Sequence, residues 1–206
     1  MQEKTARPTV LITGSSGFLG QAIAKGLIDR YRVIGLDVAK PKHAPAGMET
    51  IEIDLTSDKS VRRAIDGVRE LSGGRIASVA HLAAYYDTTG EDNPKYDAVT
   101  VQGTRRLLSA LKELGTEQFI FSSTLLVHAP SPDKGVRIDE NAPLDPPWAY
   151  PRSKAETEQL IASERGDIKT VILRLAGVYD EDCRAAFIAQ QIARIFERRP
   201  TAYLFT

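Results

Sequence analysis

Residues 10–27 read VLITGSSGFLGQAIAKGL. The apolar, β-branched run from Thr9 to Thr13 has the length and composition of a buried strand. Glycines follow at 14, 17 and 20. Behind them Leu19, Ala22, Ile23, Gly26 and Leu27 recur at the spacing of one helix face. The stretch reads as strand, tight turn and helix. Gly14 can make the sharp turn out of the strand. Gly17 lets a bound group come close to the backbone, and Gly20 lets the helix pack against the sheet. Ser16, Phe18 and Leu19 offer backbone N–H groups at a helix N-terminus, where a phosphate is favoured. A glycine triplet alone also fits a plain strand-to-helix turn, so its surroundings decide.

The next segment, YRVIGLDV, reads as a second strand ending near Asp37. That acid lies about 20 residues past the glycines, where a ribose-binding carboxylate belongs in a dinucleotide fold. It would accept hydrogen bonds from ribose hydroxyls and repel a 2′-phosphate, which favours NAD over NADP. Lys40 and Lys42, just beyond, pull the other way.

METIEIDL reads as a third strand. A helix over TSDKSVRRAIDGV follows, capped by Thr56 or Ser57. After a turn at Gly73–Gly74, RIASVAHLAA reads as a fourth strand. YDAVTVQGTRRLLSALKELG reads as one long helix closed by Gly115. EQFIFSS is a fifth strand, and residues 128–147 form a polar, proline-rich loop. AYPRSKAETEQLIASERG is a helix ending at Gly166, KTVILRLAGVY a sixth strand and CRAAFIAQQIARIFERR a last helix. TAYLFT resembles the start of another strand. Strands alternating with helices predict a doubly wound α/β architecture, a parallel sheet with helices on both faces.

Composition narrows the function classes. The 206 residues carry 27 basic and 27 acidic side chains, for a formal net charge of zero, with no basic block. A nucleic-acid partner is not expected. Cys183 is the single cysteine, so no intrachain disulfide forms and a reducing, cytoplasmic setting is expected. No apolar run reaches the roughly 18 residues of a membrane span, and MQEKTARP lacks the apolar core of a signal peptide. No metal site is expected.

YPRSK places Tyr150 and Lys154 four apart, on one face of a predicted helix. A tyrosine is a poor base at its ordinary pKa near 10. A neighbouring ammonium favours the phenolate. Such a tyrosinate could take a proton from a substrate hydroxyl while hydride leaves the same carbon. FSST ends the fifth strand, and ligands of open α/β sheets sit at the carboxyl ends of strands. Thr124 could therefore share the substrate oxygen with Tyr150. The hydroxyls of Ser122 and Ser123 are expected to satisfy backbone groups or position the cofactor.

Taken in order, TGSSGFLG, Asp37, Asp54–Leu55, HLAA at 81–84, Gly103–Thr104, FSST, YPRSK and LRLAGVY resemble the extended short-chain dehydrogenase/reductase family. This is the group of NAD-dependent nucleotide-sugar epimerases and dehydratases, built on a Rossmann-type sheet. The resemblance runs from about Thr9 to the chain end. It implies that Gly14, Ser16, Gly17, Phe18, Leu19, Gly20 and Asp37 hold NAD. It implies that Asp54 and Leu55 contact the adenine, and that Leu82, Ala83 and Ala84 line the ribose and diphosphate. Ala176 then stands beside the nicotinamide. Thr124, Tyr150 and Lys154 are the implied catalytic triad, with Lys154 also on the nicotinamide ribose. Tyr85 and Gly177 join Thr124 and Tyr150 on the substrate side. His81 is implied to be structural.

Some positions depart from the family pattern. Val99 and Thr100 stand where an Asn-Val pair is common, so a hydrogen bond made by that Asn is lost or passes to Thr100. Leu125 and Leu126 stand where 4,6-dehydratases carry an Asp-Glu pair, and neither can transfer a proton. Family members also carry a C-terminal region that supplies much of the substrate pocket. The expectation is a dinucleotide-binding domain over 1–180 and the start of an incomplete substrate region over 181–206, as in a truncated chain. The expected activity is hydride transfer from a carbinol, of a nucleotide sugar, to NAD with Tyr150 as base. The alternatives are a one-way NAD(P)-dependent dehydrogenase or reductase of a small alcohol or ketone, and a non-catalytic dinucleotide-binding module. A homodimer through the helices Tyr96–Leu114 and Ala149–Arg165 is the implied assembly, unless Leu107, Leu111 and Leu160 belong to the core.

Overall fold

The computed structural model describes residues 7–41, 44–87, 90–129, 137–180 and 186–198. Lys42, Cys183 and the TAYLFT segment lie outside them. In chain order the elements are β1 (Thr9–Thr13), α1 (Phe18–Leu27), β2 (Arg32–Asp37), β3 (Glu49–Glu52), α2 (Asp58–Ser72), β4 (Arg75–Ile76) and β5 (Ser78–His81). A π-helical turn, Tyr96–Val101, runs into α3 (Gln102–Leu111). Then come β6 (Gly115–Thr116), β7 (Gln118–Thr124), a 3-10 turn (Leu125–Val127), α4 (Ala149–Glu164), β8 (Lys169–Leu175) and α5 (Ala186–Phe196).

Six strands form one sheet in the order β3-β2-β1-β5-β7-β8. The β1–β2, β1–β5, β2–β3 and β5–β7 pairings are parallel. The order steps outward from β1 in both directions, so a crevice opens beside its carboxyl end. Alternation along each strand sorts the core into two layers. Val10 and Ile12 of β1, Val33 of β2 and Ala80 of β5 pack under α1. Leu11, Ile34 and Val79 face the other way, against Val61 and Ile65 of α2, Leu107 and Leu111 of α3 and Ile161 of α4. Helices thus cover both faces, as the alternation of strands and helices requires. Leu107, Leu111 and Leu160 lie in this core and are not free to form a dimer face.

Caps follow the local chemistry. Ser57 caps α2 by accepting the Ser60 N–H at 3.3 Å, and Gly73 closes that helix at φ +66°. Trp148 stands at the N-cap of α4 without a side-chain cap bond. Three expectations change. RIASVAHLAA divides into β4 and β5, and β4 pairs with β6 in a separate two-stranded sheet. Gly115 is not a left-handed cap: its N–H donates to Gly74 O at 2.7 Å within that small sheet. The long helix opens with a π turn where a plain α-helix was expected. The chain divides into two compact units, Met1–Arg174 and Leu175–Thr206, and α5 belongs to the second. No helix of the described residues is long and apolar enough to cross a membrane.

Candidate functional site

The glycine turn is tied to the ends of its neighbours. Gly14 adopts φ +70°, and a Cβ there would stand 2.9 Å from Ala83 N. A Cβ on Gly20 would collide with the carbonyl oxygen of Gly14 and stand 2.7 Å from Ser15 Cα. These two glycines let α1 and the segment after β5 close on the turn. Gly17 differs. Its backbone is extended, at φ −75° and ψ 170°, which any residue can adopt. A Cβ there would meet only Gly14 O, at 3.3 Å. Neither conformation nor internal packing explains this glycine well, whereas a group approaching from outside does. It stands just ahead of Phe18 and Leu19, the first residues of α1, where helical N–H groups point outward.

Asp37 ends β2 beside this turn. Its Oδ2 accepts the Ser16 N–H at 2.8 Å and its Oδ1 accepts the Val38 N–H at 2.8 Å. Ser16 N–H is therefore engaged with the carboxylate, and Ser16 Oγ donates to Ala39 O at 2.6 Å. The carboxylate is fixed in place with lone pairs to spare. Asp54, exposed, accepts the Thr56 N–H at 2.8 Å and the Thr56 hydroxyl at 2.7 Å, and these bonds hold its pKa below the ordinary carboxylate value. Leu55 is buried, and a Cβ on Gly103 of α3 would stand 2.8 Å from its Cβ. Leu82 N–H and Ala83 N–H both donate to Thr13 Oγ1 at 3.2 Å, and Ala84 follows, half-buried. The groups at the carboxyl edge of β1 and β2 suit a dinucleotide: the N–H donors of a helix N-terminus, a bare Cα and an anchored carboxylate that accepts.

The second half of the site stands on β7 and α4. Lys154 is 3% exposed, and its ammonium donates to Ser122 O at 2.7 Å. It also lies 4.7 Å from the centre of the Phe121 ring and 5.9 Å from that of Tyr150. Burial pushes its pKa down to about 7, against a smaller upward pull from Glu158. Ser122 Oγ donates to His81 O at 3.2 Å, so this serine links β5, β7 and the lysine. Thr124 ends β7 and accepts the Leu126 N–H at 3.3 Å, which leaves its hydroxyl proton to donate.

Tyr150 sits in a cluster of tyrosines. Its ring meets Tyr86 edge to face at 4.9 Å and Tyr96 at 6.4 Å, and Tyr96 meets Tyr85 at 4.9 Å. Burial, then Tyr86 and Tyr96, push the Tyr150 phenol up to about 12. The expected lowering by Lys154 is not met in this arrangement, where burial dominates. Tyr96 was not foreseen, since nothing local marks the first residue of a helix as a partner of a tyrosine 54 positions on. Tyr85 N–H donates to Thr100 Oγ1 at 3.1 Å, so Thr100 does carry a hydrogen bond at its position. The Tyr85 hydroxyl donates to Asp87 at 3.2 Å and accepts from Asn93 at 3.1 Å. Ala176 and Gly177 follow β8, exposed, in the second unit.

His81 is fully buried. Thr104 donates to Thr100 O at 2.6 Å, so its oxygen accepts from His81 Nε2 at 2.8 Å. Nδ1 then accepts from the Thr13 hydroxyl at 2.7 Å; the tautomer is assigned from this network. Burial, then Lys154, push its pKa down to about 3. A neutral ring with both nitrogens bonded is structural.

Residues 10–205 match the model of the NAD dependent epimerase/dehydratase family. The chain is 31% identical over 206 residues to the 3 beta-hydroxysteroid dehydrogenase type 7 of Mus musculus, covering 88% of this chain and 53% of that protein. It is 30% identical over 152 residues to an Escherichia coli O157:H7 enzyme, N-acetyl-alpha-D-glucosaminyl-diphospho-ditrans,octacis-undecaprenol 4-epimerase, covering 74% of this chain and 42% of that one. Its fold is similar to that of the Thermus thermophilus UDP-glucose 4-epimerase in complex with NAD, with a TM-score of 0.73 and 27% identity over 94% of this chain and 64% of that one. The chain thus spans about half the length of the curated relatives it matches. Fold, turn and family match agree, and the chain belongs to the NAD dependent epimerase/dehydratase family, whose members use a dinucleotide cofactor.

Proposed function

We propose that this chain carries the cofactor-binding and catalytic part of an NAD-dependent oxidoreductase or epimerase acting on a carbinol, with a nucleotide sugar as the leading substrate class. The observation that carries the reading is Lys154. Burying an ammonium is costly unless it is paired, yet this one meets a neutral carbonyl beside Tyr150 at the carboxyl end of β7. Stability does not call for such a residue, whereas proton transfer at Tyr150 does. A mere binding module would not need it.

When bound, NAD supplies the hydride acceptor and a positive charge near the phenol. The chain's own residues do the rest. Tyr150 takes the carbinol proton, and Thr124 donates its hydroxyl to the same oxygen. Lys154 supplies positive charge beside the phenol and a donor for a ribose hydroxyl. Asp37 accepts from the adenosine ribose and excludes a 2′-phosphate, and the turn at Gly17 receives the pyrophosphate. Leu125 and Leu126 cannot move protons, so the reaction is not a 4,6-dehydration.

The tyrosines favour a second reading. Tyr86 is 64% exposed and packs on Tyr150, which suits a flat apolar alcohol as well as a sugar. The hydroxysteroid dehydrogenase among the relatives points the same way. Net reduction of NAD by substrate would mark this one-way dehydrogenase; turnover without net reduction would mark the epimerase.

The test has two arms. Calorimetric titration of the chain should show NAD binding at least about tenfold more tightly than NADP, a preference that Asp37→Asn reduces. In the catalytically competent protein, Tyr150→Phe should lower kcat by about 100-fold or more with NAD affinity kept. Equal binding of the two cofactors overturns the Asp37 assignment, and unchanged turnover overturns that of Tyr150.

A further inference from the structure

A buried polar group on α4 has no part in the chemistry above. Glu158 stands one turn past Lys154, so Tyr150, Lys154 and Glu158 form one stripe of the helix. The Ser123 hydroxyl donates to Glu158 Oε1. Arg174 of β8 pairs with the same carboxylate through Nη2 at 2.8 Å and through Nε at 3.2 and 3.3 Å. Its Nη1 reaches further, to Glu140 O at 2.9 Å and His128 Nε2 at 3.1 Å. His128 Nδ1 faces Pro143 O at 3.2 Å, so Nδ1 carries the proton and Nε2 accepts from the guanidinium. Glu158 is 8% exposed.

One guanidinium therefore ties together α4, β8, the turn after Thr124 and the segment that leads back to α4. Ser123 precedes Thr124 directly. The pair thus grips the strand that presents Thr124 and the helix that presents Tyr150 and Lys154. A buried ion pair adds little net stability over an apolar replacement, so stability is a weak reason for this one. Around the Lys154 ammonium stand His81 from β5 and Tyr150 and Glu158 from α4, while β7 contributes the Phe121 ring and the Ser122 carbonyl. Among these groups Glu158 alone brings negative charge.

We propose that Glu158 and Arg174 are positioning residues of the site: through Ser123 they hold Thr124 in register with Tyr150 and Lys154, and Glu158 supplies negative charge to the buried ammonium. The proposal rests on the reading of those three residues given above.

The test follows Lys154 in the chain labelled with 13C at lysine Cε, by NMR titration, together with NAD affinity and Tm. Glu158→Gln keeps the shape and should lower the Lys154 midpoint by about one pH unit. It should also weaken NAD binding by about tenfold. Arg174→Lys keeps the charge but loses the fork, and should weaken NAD binding by about threefold or more with a smaller change in the midpoint. If both variants lower Tm while the midpoint and NAD affinity stay at wild-type values, the pair is structural only and the proposal falls. If Glu158→Gln does not fold, Ser123→Ala carries the test, since it removes only the tether; unchanged NAD affinity in that variant overturns the proposal. A wild-type chain that binds neither dinucleotide overturns the reading of the site and this proposal with it. Wild-type binding with unmoved variants overturns this proposal alone.

Discussion

At the scale of single residues, the buried ammonium of Lys154 works against stability. Its pKa falls from an ordinary 10.5 to about 7 on folding. Between those values the unfolded chain binds the extra proton, so stability rises with pH across that window. Below pH 7 the full cost of the buried charge is present. Lys154→Met should therefore stabilise the fold at pH 7, by about 1–3 kcal/mol, and the gain should shrink towards pH 10. Urea unfolding at both pH values checks this; a variant less stable than wild type at pH 7 would sink it. Tyr150 and Lys154 were legible in the sequence because four-residue spacing on a helix is a local fact. The shift of their pKa values was not, because it comes first from burial and then, for Tyr150, from Tyr86 and Tyr96, which the fold gathers from distant segments.

At the scale of elements, the strand–turn–helix unit is the most constrained piece. A methyl group on Gly20 meets the backbone of Gly14 and Ser15, which has no flexible end to move aside. Gly20→Ala should cost about 2–3 kcal/mol and should abolish dinucleotide binding by lifting α1 off the turn. Gly17→Ala should cost far less stability, since Gly17 has ordinary dihedrals and one contact at 3.3 Å. Comparing the two by thermal unfolding and calorimetry separates a packing glycine from one that makes room. β1, α1 and β2 were legible because apolar runs and glycines punctuate them. The π turn at Tyr96–Val101 was not, because nothing in YDAVTV differs in pattern from an α-helix. Gly115 misled for a related reason: a glycine after a helix signals a cap, and here it serves a pairing with Arg75, a residue 40 positions away.

At the scale of the whole molecule, one chain of side chains joins the sheet to the helices. Thr13 of β1, His81 of β5 and Thr104 of α3 are linked in sequence by hydrogen bonds through the imidazole. The ring must stay neutral to keep both. Its pKa drops from 6.5 to about 3 on folding. Between those values only the unfolded chain takes up the proton, so the stability is fully present above about 6.5 and drains away as pH falls towards 3. The loss is at most roughly 4–5 kcal/mol. Denaturant unfolding at pH 7.5 and pH 4.5 should show a clear drop, and His81→Asn should reduce the difference. The parallel order around β1 was legible from the alternation of elements. The network through His81 was not, because Thr13, His81 and Thr104 meet only once the three elements are stacked.

Trp148, the only tryptophan of the chain, stands at the N-cap of α4, two residues before Tyr150. Its indole is therefore an optical probe within two residues of Tyr150. Light absorbed there reports by its emission colour and yield on what happens around Tyr150. A reduced nicotinamide bound nearby would draw that energy off and re-emit it at longer wavelength, so cofactor occupancy can be followed by fluorescence without a label.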